Sequence, residues 1–262
     1  MGIEVTEMII TRTPYRMSFF GGGTDYPDHF HNYGGSVLAS SINKYCYISC
    51  RHLPPFFDHK YRIAYSQIET TESINKIKHP AVKGVFNYLN ISDGMEVQHH
   101  GDLPARSGLG SSSSFTAGLL HSLHALNGKM ISKYDLAMQT IDVEQNVIGE
   151  NVGSQDQVMA SIGGLNHINF SKDGSITVKP VVISNDKKEW FNDHLLMFFS
   201  GVSRNSQDIT AQTIQCIKSK ASDVIRLGSL VDQSLSIINS DVCISEFGKL
   251  LDEAWAIKRS IS

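Results

Sequence analysis

The stretch Leu103-Pro104-Ala105-Arg106-Ser107-Gly108-Leu109-Gly110-Ser111-Ser112-Ser113-Ser114 holds residues whose types and spacing suit chemistry. Pro104 stops an extended segment. Gly108 and Gly110 supply backbone that takes positive φ or lies close to a ligand. Four hydroxyls follow, and Phe115, Leu119, Leu123 and Leu126 then recur at the spacing of one helix face, which Asn127-Gly128 ends. A glycine-rich turn thus opens a helix whose first amides have no partner inside it. With the helix dipole these amides favour an anion, most simply a phosphate, and serine hydroxyls add donors and can ligate Mg2+. No Lys stands where a Walker loop needs one, and the glycine spacing does not fit a dinucleotide turn. The alternative is a plain Gly/Ser connection leading into a helix.

Two further stretches carry unusual polar residues. Pro14-Tyr15-Arg16-Met17-Ser18-Phe19-Phe20-Gly21-Gly22-Gly23-Thr24-Asp25-Tyr26-Pro27 places three glycines between aromatics and an acid, which marks a close approach of backbone to something or else a wide turn. After Gly128, Ser132-x-x-Asp135 reads as a helix start, and Leu136, Thr140, Ile141, Val147 and Ile148 form one face. Glu144 falls on that apolar face, where a carboxylate needs a cation or donors. It is either a paired structural acid or a metal ligand. In Gly149–Gln157, Asp156 sits where a loop turns into a helix, a position that also suits an N-cap. His121 and His124 are three apart on a helix but lack a third ligand.

The elements that must position these residues follow from periodicity. Met8–Thr13 is β-prone. Val37–Ala39 and Tyr45–Ile48 read as paired strands, Tyr61–Tyr65 and Met95–His99 as further strands, and Ala81–Leu89 as a helix. Leu195–Phe199 reads as a buried strand. Helical spacing recurs in Ile209, Thr213 and Cys216, then in Val224, Leu227, Val231, Leu235 and Ile238, and last in Phe247, Leu250, Leu251, Ala254 and Ile257. A domain boundary is placed between Ile183 and Trp190.

The 262 residues are 41% apolar and 19% charged with a net charge of −3, an ordinary globular balance that gives no basic face for nucleic acid. No apolar run spans a bilayer. Cys46, Cys50, Cys216 and Cys243 are scattered without a Cys-x-x-Cys pair and read as small buried hydrophobes in a reducing, cytoplasmic compartment.

Taken together, the three polar stretches resemble the GHMP kinases, the family of galactokinase, homoserine kinase, mevalonate kinase and phosphomevalonate kinase. Pro14-x-Arg16 with Gly21-Gly22-x-Thr24-Asp25 resembles the family's first motif. Pro104-x-x-x-Gly108-Leu109-Gly110-Ser111-Ser112 resembles its ATP phosphate loop, and Gly153–Gln157 followed by Gly163-Gly164 resembles the segment with the catalytic Asp. Within the family, Phe19–Pro27, Leu103–Gly108 and Gly201-Val202-Ser203-Arg204 are most similar to the branch acting on D-glycero-D-manno-heptose 7-phosphate.

The resemblance implies an α+β, two-domain fold: a ribosomal-protein-S5-like N-terminal α/β domain over residues 1–185, binding ATP and substrate, and a C-terminal α+β domain over 186–262 that is cut short. It implies ATP and Mg2+ as cofactors, and a small-molecule sugar phosphate phosphorylated at its anomeric hydroxyl, with neither nucleic acid nor membrane as partner and a homodimer as one option for assembly. Pro104, Ser107, Gly108, Leu109, Gly110, Ser111, Ser112 and Ser113 would bind ATP. Ser112 and Glu144 would hold Mg2+, Asp156 would act as base, and Arg16 would keep it ionised. Gly22, Gly23, Thr24, Asp25 and Arg204 would bind the sugar. Another GHMP small-molecule kinase stays open as an alternative, and the absence of the family's third glycine-rich motif supports a further one, a non-catalytic nucleotide- or sugar-binding relative.

Overall fold

The computed structural model describes residues 7–105, 107–198, 215, 217, 219–240 and 242–261. It is a mixed α/β structure that divides into two compact units. The first comprises residues 1–15, 42–150 and 156–162, and the second residues 16–41, 151–155 and 163–262. The division at 185/186 expected from the sequence is one of chain order, whereas these units are defined by packing.

Two long strands, β1 (Met8–Phe20) and β2 (Gly35–His52), contribute to both units. In the first unit β4 (Ile68–Thr71), β3 (Tyr61–Ala64), β5 (Met95–Gly101) and the later half of β2 follow in that order. β3 runs parallel to β5 with Tyr61 opposite Met95, and β5 antiparallel to β2 with Gly101 opposite Cys46. Cys46, Ile48 and Cys50 alternate inward, as the strand period requires. Burial pushes both thiols up to about 12, so they pack as inert hydrophobes. Helices α2 (Pro80–Tyr88), α3 (Ser111–Leu126) and α4 (Lys133–Asp142) close this core with Val85, Phe86, Leu119, Leu120, Leu123 and Leu136. The predicted Ser132 cap is present: its Oγ accepts the Asp135 amide at 3.0 Å.

In the second unit the early half of β2 pairs antiparallel with β6 (Leu165–Phe170), and β6 with β7 (Ile176–Pro180). Helix α1 (Pro27–Tyr33) follows the glycine turn. Residues 155–162 form α5, of which 156–162 belong to the first unit, and α6 (Asn185–Asp193), α7 (Ala221–Ile238) and α8 (Ile244–Ile261) follow in the second. Phe19, Phe20, Phe191, Leu227, Val231, Phe247 and Leu250 form the core of this unit. Phe19 meets Phe247 edge-on at 5.5 Å between ring centroids.

The structure corrects several sequence readings. β1 continues through Pro14 to Phe20, leaving only Gly21–Asp25 as the turn. Val37–Ala39 and Tyr45–Ile48 belong to one strand. The polar residues between them lie where β2 passes from residues paired with β6 to residues paired with β5. Leu195–Phe198 is not a buried strand: Leu196, Met197 and Phe198 are exposed. Among the described residues no strand follows Pro180, so this stretch has no ladder to join. α1, α6, β6 and β7 were not expected. The Ile209–Thr213 helical reading and Arg204 lie outside the described residues.

Candidate active site

In the first unit, α3 is held at a fixed height on β1. Gly118 lets the two backbones approach, since a Cβ there would stand 2.8 Å from Thr13 Oγ1 and 3.2 Å from Ile48 Cγ1. Thr11 Oγ1 donates to the Gly118 carbonyl at 2.9 Å, and Ser114 Oγ donates to the Pro14 carbonyl at 2.9 Å. These contacts aim the N-terminus of α3. Gly108 and Gly110 take φ of 75° and 74°, a left-handed backbone that Gly adopts without strain. Gly110, the N-cap, gives no side-chain cap. Pro104 and Gly108 are exposed, and a Cβ on Gly108 would meet nothing within 4 Å. Leu109 packs on the core and pins the loop. Ser107 Oγ is buried without a hydrogen-bond partner among the described residues.

Behind this turn lies Glu144, 1% exposed. It sits on a π-helical turn, Val143–Ile148, that continues α4. The wider winding turns Val147 outward to 43% exposure, against the reading that placed it on the buried face. Glu144 Oε2 accepts from Ser113 Oγ at 2.8 Å and from Gln157 Nε2 at 2.6 Å, while Oε1 is buried without a hydrogen bond among the described residues. Burial raises its pKa from 4.5 to about 7, against the lowering effect of nearby Thr116 and Ser113 hydroxyls. The serine that touches Glu144 is therefore Ser113 rather than Ser112, whose residue is exposed. One helical step separates the two, and it turns Ser113 inward. An orphaned carboxylate oxygen among hydroxyls fits a hard cation that also takes phosphate oxygens and water. Among the described residues no group of three or more His, Cys, Asp or Glu forms a self-sufficient metal cluster.

The sequence pattern assigns no role to Gln157. Its α5 position turns it, buried, onto Glu144, while Asp156 beside it in the first helical turn is partly exposed. His124 bonds Gln139 at 2.8 Å.

In the second unit, the glycine turn is wired by its own polar residues. Thr24 Oγ1 donates to the Gly21 carbonyl at 2.7 Å and accepts the Ser36 amide at 3.0 Å. The Asp25 carboxylate accepts the Gly23 amide at 3.0 Å and the Gln155 amide at 3.2 Å, and its carbonyl accepts the Ser154 amide at 3.0 Å. Thr24 and Asp25 are each 1% exposed. Both are thus buried and hold the turn on which Gly22 and Gly23 sit. Arg16 is half-buried on β1 in this unit.

Gly21 combines φ of +81° with a Cβ direction that would overlap the Ser36 carbonyl. Gly21→Ala is expected to cost about 3 kcal/mol or more. Gly108→Ala, equally left-handed but in open space, should cost only about 1–2 kcal/mol. Equal losses in urea unfolding would refute the close-approach role of Gly21.

Residues 75–164 match the GHMP kinases N terminal domain. The chain is 26% identical over 271 residues to a D-glycero-alpha-D-manno-heptose 7-phosphate kinase of Campylobacter jejuni, covering 97% of this chain and 78% of that relative. Its fold is similar to the crystal structure of a D-glycero-D-manno-heptose 1-phosphate kinase from Bacteroides thetaiotaomicron, with TM-score 0.76, 21% identity and coverage of 97% of this chain and 79% of that one. It is also similar to Streptococcus pneumoniae phosphomevalonate kinase in complex with phosphomevalonate and AMPPNP, with TM-score 0.74, 14% identity and coverage of 97% and 80%. Residues 75–164 are thus similar to a GHMP kinase N-terminal domain, and the fold of the chain is that seen in these kinases.

Proposed function

We propose that this chain is an ATP-dependent sugar kinase that transfers the γ-phosphoryl group to the anomeric hydroxyl of D-glycero-D-manno-heptose 7-phosphate. The observation that carries this reading is the Ser113–Glu144–Gln157 cluster behind the open N-terminus of α3, with Asp156 adjacent on α5. Backbone amides and hydroxyls from Ser107 to Ser113 would receive the ATP phosphates. Glu144 and the serine hydroxyls at 112 and 113 would hold Mg2+, which when bound neutralises charge on the phosphate oxygens. Asp156 would take the proton from the attacking sugar hydroxyl. Arg16 would supply positive charge that favours its ionised form, and Gly22 and Gly23 would line the sugar site. Phosphoryl transfer needs little covalent help, so positioning and charge carry most of the rate. The name of the C. jejuni relative, and a match to it over 97% of this chain, support the choice of sugar.

A coupled ADP-release assay with Mg2+ and heptose 7-phosphate, galactose or mevalonate tests this. ADP release with the heptose alone is expected. Turnover of galactose or mevalonate instead would reassign the substrate. Nucleotide binding without ADP release would make the chain a binding relative.

A further inference from the structure

Neither the glycine pattern nor the resemblance singles out Lys258, near the end of α8, yet its ammonium reaches Gly22. A Cβ on Gly22 would lie 3.4 Å from Lys258 Nζ, 3.4 Å from Ser18 Oγ and 3.5 Å from Gln155 Nε2. Gly22 is not among the positive-φ residues, so its backbone does not demand glycine. What glycine leaves at this point is a gap ringed by three polar side chains. Among the described residues Ser18 Oγ, which can donate, is buried without a hydrogen-bond partner, and Gln155, 7% exposed, turns its Nε2 to the gap. Buried polar groups are ordinarily paired, so unfilled capacity here points to an absent ligand.

The charge around the gap has a sign. Burial lowers the Lys258 pKa most, the neighbouring Arg16 lowers it further, and Asp25 raises it. Two cations thus face one carboxylate whose oxygens also take the Gly23 and Gln155 amides. Two cations this close favour an anion at the gap between them. Whichever way the Gln155 amide is turned, Lys258 and Ser18 remain donors.

We propose that Lys258, Ser18 and the Gln155 side-chain amide form an oxyanion pocket over Gly22 that holds a phosphate group, either the acceptor's own ester or the phosphoryl group in transfer. The assignment rests on the sugar-kinase reading for its physiological ligand, but the pocket itself can be tested without turnover.

The probe is inorganic phosphate, titrated against the full chain saturated with ADP and followed by Tm. The wild type is expected to gain stability. Lys258→Met and Gly22→Ala, which remove the charge and fill the gap, should need about 10- to 100-fold more phosphate for the same gain, the usual loss for a charge-assisted bond. Lys258→Arg should retain part of the response. An unchanged phosphate response in folded Lys258→Met overturns the pocket.

Kinetics then identify the occupant. A KM for heptose 7-phosphate raised about 10- to 100-fold at constant kcat assigns the acceptor's ester. A kcat lowered for phosphorylated and unphosphorylated acceptors alike assigns the group in transfer. Absence of ADP release from the wild type with every acceptor would overturn the kinase reading while leaving the phosphate titration to decide the pocket.

Discussion

Asp156→Asn is expected to lower kcat/KM for sugar-dependent ADP release by about 10²- to 10⁴-fold, the range that a positioned general base contributes. The change keeps side-chain size and removes only the proton acceptor. Asp156 is partly exposed in the first turn of α5, while the neighbouring Gln155 and Gln157 are buried and hold the helix in place. An acid there contributes about 0.3–1 kcal/mol through the helix dipole, so Tm should fall by only a few degrees. Turnover near that of the wild type would remove the base assignment. A large fall in Tm with proportionate loss of activity would recast Asp156 as a structural cap.

Glu144→Gln is expected to make the metal-free protein more stable at pH 8 and to abolish its dependence on Mg2+. The rise in the Glu144 pKa from 4.5 to about 7 means that the folded state holds this proton where the unfolded chain has shed it. Stability therefore falls as pH rises between 4.5 and about 7, by about 3 kcal/mol in total, and the deficit persists above pH 7. The substituted amide would accept and donate in the same place without a charge to desolvate, so the variant should lose that slope. Burial also raises the pKa of Glu150, whose contribution has the same sign and stays in the variant. In the wild type, Mg2+ with ADP should restore stability at pH 8 by favouring the carboxylate, and in the variant it should not. Matching urea-derived pH profiles for the two proteins would overturn this account of Glu144.

How much was legible beforehand differs by kind of residue. The turn from Gly108 to Ser114, the helix after it and the Ser132 cap were readable because their chemistry is local: a positive φ, a run of hydroxyls, a 3.6-residue period. The odd placement of Glu144 on an apolar stripe was also readable, since an unpaired acid there violates a one-dimensional pattern. Local reading failed where a long strand changes partners, as in β2, and where a strand-like run such as Leu195–Phe198 has no neighbour to bond among the described residues, because ladder pairing is not encoded in the run itself.

By itself, then, the sequence determined where the chain bends, where a glycine-rich turn opens a helix and which acids stand out from their surroundings. Only the tertiary structure decided which atoms meet. It turned Ser113 rather than Ser112 to Glu144, recruited Gln157 beside it, enclosed Thr24 and Asp25 within their own turn, and brought Lys258 to Gly22 across more than two hundred residues of chain. The reason is geometric: one residue along a helix rotates a side chain by about 100°, and only packing against a partner sets which of two neighbours faces inward.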